Sequence, residues 1–148
     1  MQEQFLRTAM LLGESAIEKL NNARVAIFGL GGVGGYALEA LCRSGIGTLH
    51  LIDSDTLSIS NLNRQILATH DTVGMLKVEA ARARVRAINP GCRVFTYPIF
   101  FTPETADALD FSQFDYVIDA IDTVTGKLCL AERAFAAGTP IISCMGAG

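Results

Sequence analysis

Three glycines, Gly29, Gly31 and Gly34, stand at G-x-G-x-x-G spacing in the run FGLGGVGG, and Asp53 follows Gly34 by 19 residues. Lacking a Cβ, such glycines, with Gly32 among them, let backbone N–H groups approach a phosphate at the positive end of a helix. A carboxylate placed like Asp53, at the end of the next strand, accepts hydrogen bonds from ribose hydroxyls. On its own the glycine spacing is a weak signal, serving NAD or a flavin dinucleotide as readily as ATP.

The stretch DSDTLSISNLNRQ, residues 53–65, tips the balance toward a triphosphate. A dinucleotide fold has no general need for Asn61, Asn63, Arg64 and Gln65 within five residues. A triphosphate needs donors there. Arg64 can fork onto phosphate oxygens, and Lys77, 13 residues later, can add a point charge. Both would neutralise charge developing on a pyrophosphate leaving group. The plainer alternatives are a surface arginine and a solvated helix lysine.

DAIDTVTGK, residues 119–127, brings two carboxylates to a strand end. Magnesium bound with ATP phosphates takes one or two carboxylates plus water, so Asp122 is the metal-side candidate. Asp119 reads instead as the cap of the following turn.

These residues need a scaffold that delivers them to one edge. RVAIFG (24–29) is an apolar run suited to a buried parallel strand, VGGYALEALCR (33–43) has helical spacing, and TLHLID (48–53) is a second strand. That unit of about 30 residues has the size of a βαβ module. Downstream, residues 73–89 and 125–138 read as helices, and 93–97, 116–120 and 140–144 as strands. SAIEKLNN (15–22) reads as the end of a short amphipathic helix. Alternation of this kind predicts an α/β, Rossmann-like, doubly wound and mainly parallel sheet with flanking helices.

Half of the 148 residues are apolar, enough to bury a core in one domain spanning 1–148. The final CMGAG ends in a glycine turn just after a strand, where open α/β sheets place ligand loops, so the domain reads as incomplete at its C-terminal end. The N-terminus lacks the order of a signal peptide and no apolar run reaches membrane-spanning length, so the expected compartment is cytoplasmic. Cys42, Cys92, Cys129 and Cys144 form no C-x-x-C pair and read as small hydrophobes, Cys144 as a core or rim thiol. A net charge of −3 argues against a generally basic nucleic-acid surface. Arg82, Arg84 and Arg86 alternate rather than share a helical face, and read as a solvated helix surface.

The segments GLGGVGG, LIDSDTLSISNLNRQ, VGMLKVEAARARVRAINP and DAIDTVTGK together resemble the ThiF/MoeB/HesA superfamily of adenylating enzymes, related to ubiquitin activators. Within it, RTAMLLGESAIEKL, NRQILATHDTVG and VIDAIDTVTGK look most like the tRNA threonylcarbamoyladenosine dehydratases. The resemblance implies an ATP site in which Gly31 and its neighbours bind phosphate, Asp53 holds ribose, Asn61, Arg64 and Lys77 contact phosphates, and Asp122 lies near Mg2+. It also implies a homodimer in which Arg7 reaches the partner subunit's ATP. The implied reaction activates the threonyl carboxylate of N6-threonylcarbamoyladenosine in tRNA as an acyl adenylate, and ring closure then expels AMP.

Two rival readings remain open at this point. One is adenylation of the C-terminal glycine of a ubiquitin-like sulfur carrier, with a sulfur-transfer protein as partner. The other is an NAD-dependent oxidoreductase.

Overall fold

A computed structural model describes residues 2–145. Five strands form one parallel sheet: β1 (Arg24–Phe28), β2 (Thr48–Ile52), β3 (Arg93–Tyr97), β4 (Tyr116–Asp119) and β5 (Ile141–Ser143), in the order β3-β2-β1-β4-β5. The chain runs outward from β1 through β2 to β3, then crosses back to place β4 on the other side of β1. Such a reversal opens a crevice beyond the carboxyl ends of the two central strands. Phe28, the last residue of β1, is level with Ile52 of β2 and Asp119 of β4.

Helices cover both faces. α3 (Gly34–Ser44) and α4 (Lys77–Ile88) pack Leu38, Cys42, Val78 and Val85 against Val25, Ile27, Leu49 and Leu51. α5 (Val124–Ala136) and the loop before β4 put Leu130, Phe101, Phe111 and Phe114 against Ala26, Phe28 and Val117. Alternate residues of β1 therefore serve opposite cores, which is why its sequence is apolar throughout. His50 of β2 lies in the second layer, buried and stacked on Phe95, with Nδ1 2.9 Å from the Tyr97 hydroxyl.

Residues 15–22 end a short amphipathic helix as expected, α2 (Glu14–Asn22), and Gly13 separates it from a further helix, α1 (Leu6–Leu12). Two local expectations need correction. The helix expected from residue 73 starts only at Lys77, because the preceding backbone is drawn into pairing with residues 55–57. Leu57 N–H donates to Met75 O at 2.8 Å, Gly74 N–H to Leu57 O at 2.8 Å and Lys77 N–H to Asp55 O at 2.9 Å, around a bridge between Thr56 and Leu76. Finally, the α4 arginines do not form a simply solvated face. Arg84 and Arg43 both bind the buried carboxylate of Glu39, and Arg82 donates to Thr96 Oγ1 at 2.8 Å, while Arg86 stays exposed.

No helix among the described residues is long and apolar enough to cross a membrane. Cys42, Cys92 and Cys129 are buried free thiols, and Cys144 is half-buried. Of the terminal CMGAG, the last three residues lie outside the described ones.

Candidate nucleotide-binding site

A cavity of about 650 Å³ opens at the carboxyl edge of β1, β2 and β4. Gly29, Gly31, Gly32, Asp53, Asn61, Arg64, Gln65, Lys77 and Asp122 all line it. Residues spread over 94 positions of sequence thus converge on one space. Gly34 and Arg7 are not among the lining residues.

The glycine turn is shaped by contact. Gly29 has φ +94°, and a Cβ there would lie 2.5 Å from the carbonyl oxygen of Ala120. Gly34 is the first residue of α3, where a Cβ would overlap the Gly29 carbonyl oxygen. Its role is close packing of the helix on the turn, which brings the helix N-terminus over the cavity. By contrast, Gly31 faces the Gln65 side chain and Gly32 the side chain and carbonyl oxygen of Arg64, all at ordinary contact distances.

Asp53 binds the turn to β2. Its Oδ2 accepts from Leu30 N–H at 2.8 Å and its Oδ1 from Asp55 N–H at 2.8 Å. A carboxylate has about four lone-pair sites, so two remain for ribose hydroxyls. A short 3-10 turn, Ile59–Asn61, carries the next donor: Asn61 Oδ1 accepts from Ser58 N–H at 2.9 Å, which leaves its NH2 group without a partner among the described residues. The aliphatic part of Arg64 lies over Gly32, and its Nη1 donates to Ser60 O and Asn63 Oδ1, leaving Nε and Nη2 for other acceptors.

Two groups of the cavity wall have unmet demands. The Lys77 residue is only 6% exposed and lines the cavity, and among the described residues its ammonium has one carboxylate nearby, Asp55 Oδ2 at 3.9 Å, too far for a hydrogen bond. Gln65 is equally buried, and its Oε1 has no partner among the described residues. Unsatisfied buried polar groups are costly, and in a cavity they mark where a polar ligand or ordered water belongs. The donor set suits the phosphates of ATP: one helix N-terminus, one guanidinium, one ammonium and the NH2 groups of two carboxamides, Asn61 and Gln65.

The far wall is built from β4 and β5. Asp119 is 1% exposed, accepts from Ile121 N–H at 3.0 Å and Ser143 Oγ at 2.6 Å, and is ion-paired with Lys127 Nζ at 3.2 Å. The bond from Ile121 N–H is the turn-capping role expected of it, and the three contacts bind this carboxylate to the protein rather than to the cavity. Asp122, exposed in the loop that follows, makes no such bond among the described residues. The described residues hold no group of three or more His, Cys, Asp and Glu side chains arranged for a metal ion. A cation here would therefore rely on one carboxylate with phosphate oxygens and water, the arrangement magnesium commonly takes.

Sequence reasoning missed Asp55, the neighbour of Lys77, and the apolar wall of Ile52, Ile99, Phe100 and Ile121. The DSD repeat hinted at the first. PIFF after β3 was the only trace of the second.

The sequence profile of the ThiF family matches residues 5–148. The chain belongs to the ThiF family. Among its family relatives, the tRNA threonylcarbamoyladenosine dehydratase of Bacillus subtilis is 44% identical over 147 residues, covering 99% of this chain and 58% of that protein. The crystal structure of the Escherichia coli tRNA N6-threonylcarbamoyladenosine dehydratase in complex with ATP matches with a TM-score of 0.92 and 41% identity, covering 99% of this chain and 60% of that one. The adenylyltransferase and sulfurtransferase UBA4 of Vanderwaltozyma polyspora is 41% identical over 130 residues, covering 88% of this chain and 30% of that protein. This ThiF-family chain thus spans little more than half the length of the dehydratases it matches.

Proposed function

We propose that the cavity binds ATP and that the protein containing this ThiF domain activates a carboxylate by adenylation. The observation that carries this reading is Lys77, a nearly buried residue lining the cavity whose ammonium has no hydrogen-bonding anion among the described residues. Asp53 would hold the ribose, the turn with Asn61 and Gln65 the inner phosphates, and Arg64 with Lys77 the leaving pyrophosphate. Asp122 would hold Mg2+, which supplies charge neutralisation at the phosphates when bound.

The chemistry needs little else from the protein. A carboxylate oxygen attacks the α-phosphorus of ATP, the α–β phosphoanhydride bond breaks, and pyrophosphate leaves with the charge that Arg64 and Lys77 are placed to stabilise. The acyl carbon then carries AMP as a good leaving group. For the acceptor we propose the threonyl carboxylate of N6-threonylcarbamoyladenosine in tRNA. Its carbamoyl group attacks the acyl carbon, a ring closes, AMP departs, and the nucleoside has lost one water overall. The 44% identity to a protein named for this dehydration supports that acceptor.

Arg7 sits on α1, just after Phe5, which packs under Gly45 at the far end of α3 from the cavity. It does not line its own cavity, so for Arg7 we propose a phosphate role in a homodimer, where it enters the partner's site.

The likeness to UBA4 favours a second reading, adenylation of a ubiquitin-like sulfur carrier within a sulfur-transfer partnership. The two separate in one experiment: the full-length protein and ATP are incubated with threonylcarbamoyladenosine-modified tRNA or with a carrier protein, and mass spectrometry follows each. Loss of water from the nucleoside is the expected result. Carrier adenylate without nucleoside dehydration reverses the order, and NAD binding without ATP binding overturns both.

A further inference from the structure

A buried ion pair outside the ligand-lining set stands behind one wall of the cavity. Lys127, on the first turn of α5, places Nζ 3.2 Å from Asp119 Oδ1 and donates to the carbonyl oxygen of Cys144 at 2.8 Å. Asp119 in turn accepts from Ser143 Oγ and from Ile121 N–H, and Cys144 N–H donates to Asp119 O at 2.8 Å. One ammonium therefore joins the end of β4, the residue following β5 and the start of α5. Ala120, Ile121, Asp122 and Cys144, the segments it joins, all face the cavity. Packing enforces the same geometry: a Cβ on Gly126 would lie 2.7 Å from Thr123 Oγ1 and 3.1 Å from Ile121 Cγ2, so α5 starts hard against the turn that carries Asp122.

A stability role alone is a weak account of this pair. The side chains of Lys127 and Asp119 are 17% and 1% exposed, and burying such a pair costs desolvation that its attraction barely offsets. What the pair does supply is direction. With Oδ1 of Asp119 fixed from the α5 side, Ile121 N–H has one acceptor position, and the backbone from Ala120 to Thr123 has one course. We propose that Lys127 is a positioning residue: acting through Asp119, it sets the turn that aims Asp122 into the nucleotide cavity. The proposal rests on the ATP-site reading above, with Asp122 on the phosphate side.

The test uses the full-length protein and four variants: Lys127→Met, Lys127→Arg, Asp122→Asn and the Lys127→Met/Asp122→Asn double. ATP affinity is measured by calorimetry with magnesium present, Ile121 amide exchange by NMR, and folding by thermal melt. Loss of a group that orients a ligating residue commonly costs about 10- to 100-fold in affinity. The expected result is a loss of about tenfold in ATP affinity for Lys127→Met, with faster Ile121 exchange, both largely restored by Lys127→Arg. The double variant binds ATP no worse than Asp122→Asn alone, because Lys127 acts only through that turn. A merely structural lysine gives additive losses, and additive losses overturn the proposal. So does a folded Lys127→Met protein with unchanged ATP affinity. Should Lys127→Met not fold, Ser143→Ala removes another donor from the same carboxylate; faster Ile121 exchange with weaker ATP binding supports the proposal, and no change in either overturns it. Failure of the wild-type protein to bind ATP removes the ATP-site reading instead, and the exchange measurement still decides whether Lys127 fixes the turn.

Discussion

The carboxylate of Asp53 accepts the backbone N–H of Leu30 at 2.8 Å, so the end of β2 holds the middle of the glycine turn in place. One side chain thereby has two duties, shaping the phosphate loop and facing the ribose position. Asp53→Asn puts an NH2 group where one of two N–H donors now points. The expected cost is about 2 kcal/mol of folding stability, together with a loss of ATP affinity of about tenfold. Denaturant melts and calorimetry on the same preparation check the two halves.

Lys77 is expected to dissociate stability from binding. Its ammonium makes no hydrogen bond and its nearest carboxylate, Asp55, has a side chain 73% exposed, so removing the charge orphans nothing buried. Lys77→Met keeps the apolar stem and should leave the melting midpoint within about 2 °C of wild type, while ATP affinity falls about 100-fold. Arg64→Ala should behave alike with a smaller loss. A midpoint that falls in step with affinity would assign both residues a structural role.

Glu39 should show the opposite pattern. Its side chain is 11% exposed and binds Arg43 and Arg84, and the Arg84 hydrogen bonds hold its carboxyl below the usual carboxylate range despite burial. Glu39→Ala removes the counter-charge of Arg84 and Arg43, whose side chains are 33% and 59% exposed and can rehydrate, and is expected to cost about 2 kcal/mol. ATP affinity should not change. Equilibrium urea unfolding with nucleotide titration distinguishes this from a site residue.

His50 makes a pH dependence traceable to one side chain. Burial pushes its imidazole down to about 4, with Arg24 and Arg93 adding to the effect. An unfolded histidine titrates near 6.5, so between these values the unfolded chain binds the extra proton and the folded chain does not. This contribution to stability is whole above about pH 6.5 and falls as the pH drops toward about 4, by about 3 kcal/mol in all. Carboxylates held low, such as Glu39 and Asp115, begin to lose their contribution only as the pH reaches the ordinary carboxylate range of about 4, at the bottom of this window, and lose the rest below it. Stability measured from pH 7.5 to 4 should lose most of its slope in His50→Phe.

Much of the fold was legible because local pattern and tertiary role agree. The runs RVAIF and TLHLI are apolar on both faces since both faces are covered, and the glycine spacing fits the turn found between β1 and α3. The site residues carried an electrostatic signature, too many donors after one carboxylate, that needs no coordinates to notice. What stayed hidden depends on distant partners. Nothing near Arg84 announces Glu39, 45 residues earlier, so a paired arginine looks like a solvated one. Lys127, Ser143 and Cys144 meet at Asp119 only because β4 and β5 are neighbours. The start of α4 was misplaced for the same reason, its expected first turn being spent on hydrogen bonds to residues 55–57.

That short bridge between Thr56 and Leu76 closes the base of the excursion that carries Asn61, Arg64 and Gln65. Asp55 and Lys77 stand at its foot, joined by a backbone hydrogen bond of 2.9 Å, so their spacing does not depend on how the intervening chain travels. Lengthening a loop whose ends are already tied adds little entropy cost, about 0.6 kcal/mol for each doubling. The segment 58–74 is thus a cassette: its outer part, beyond Ala68, can change in length and character while the residues at the phosphate side keep their places.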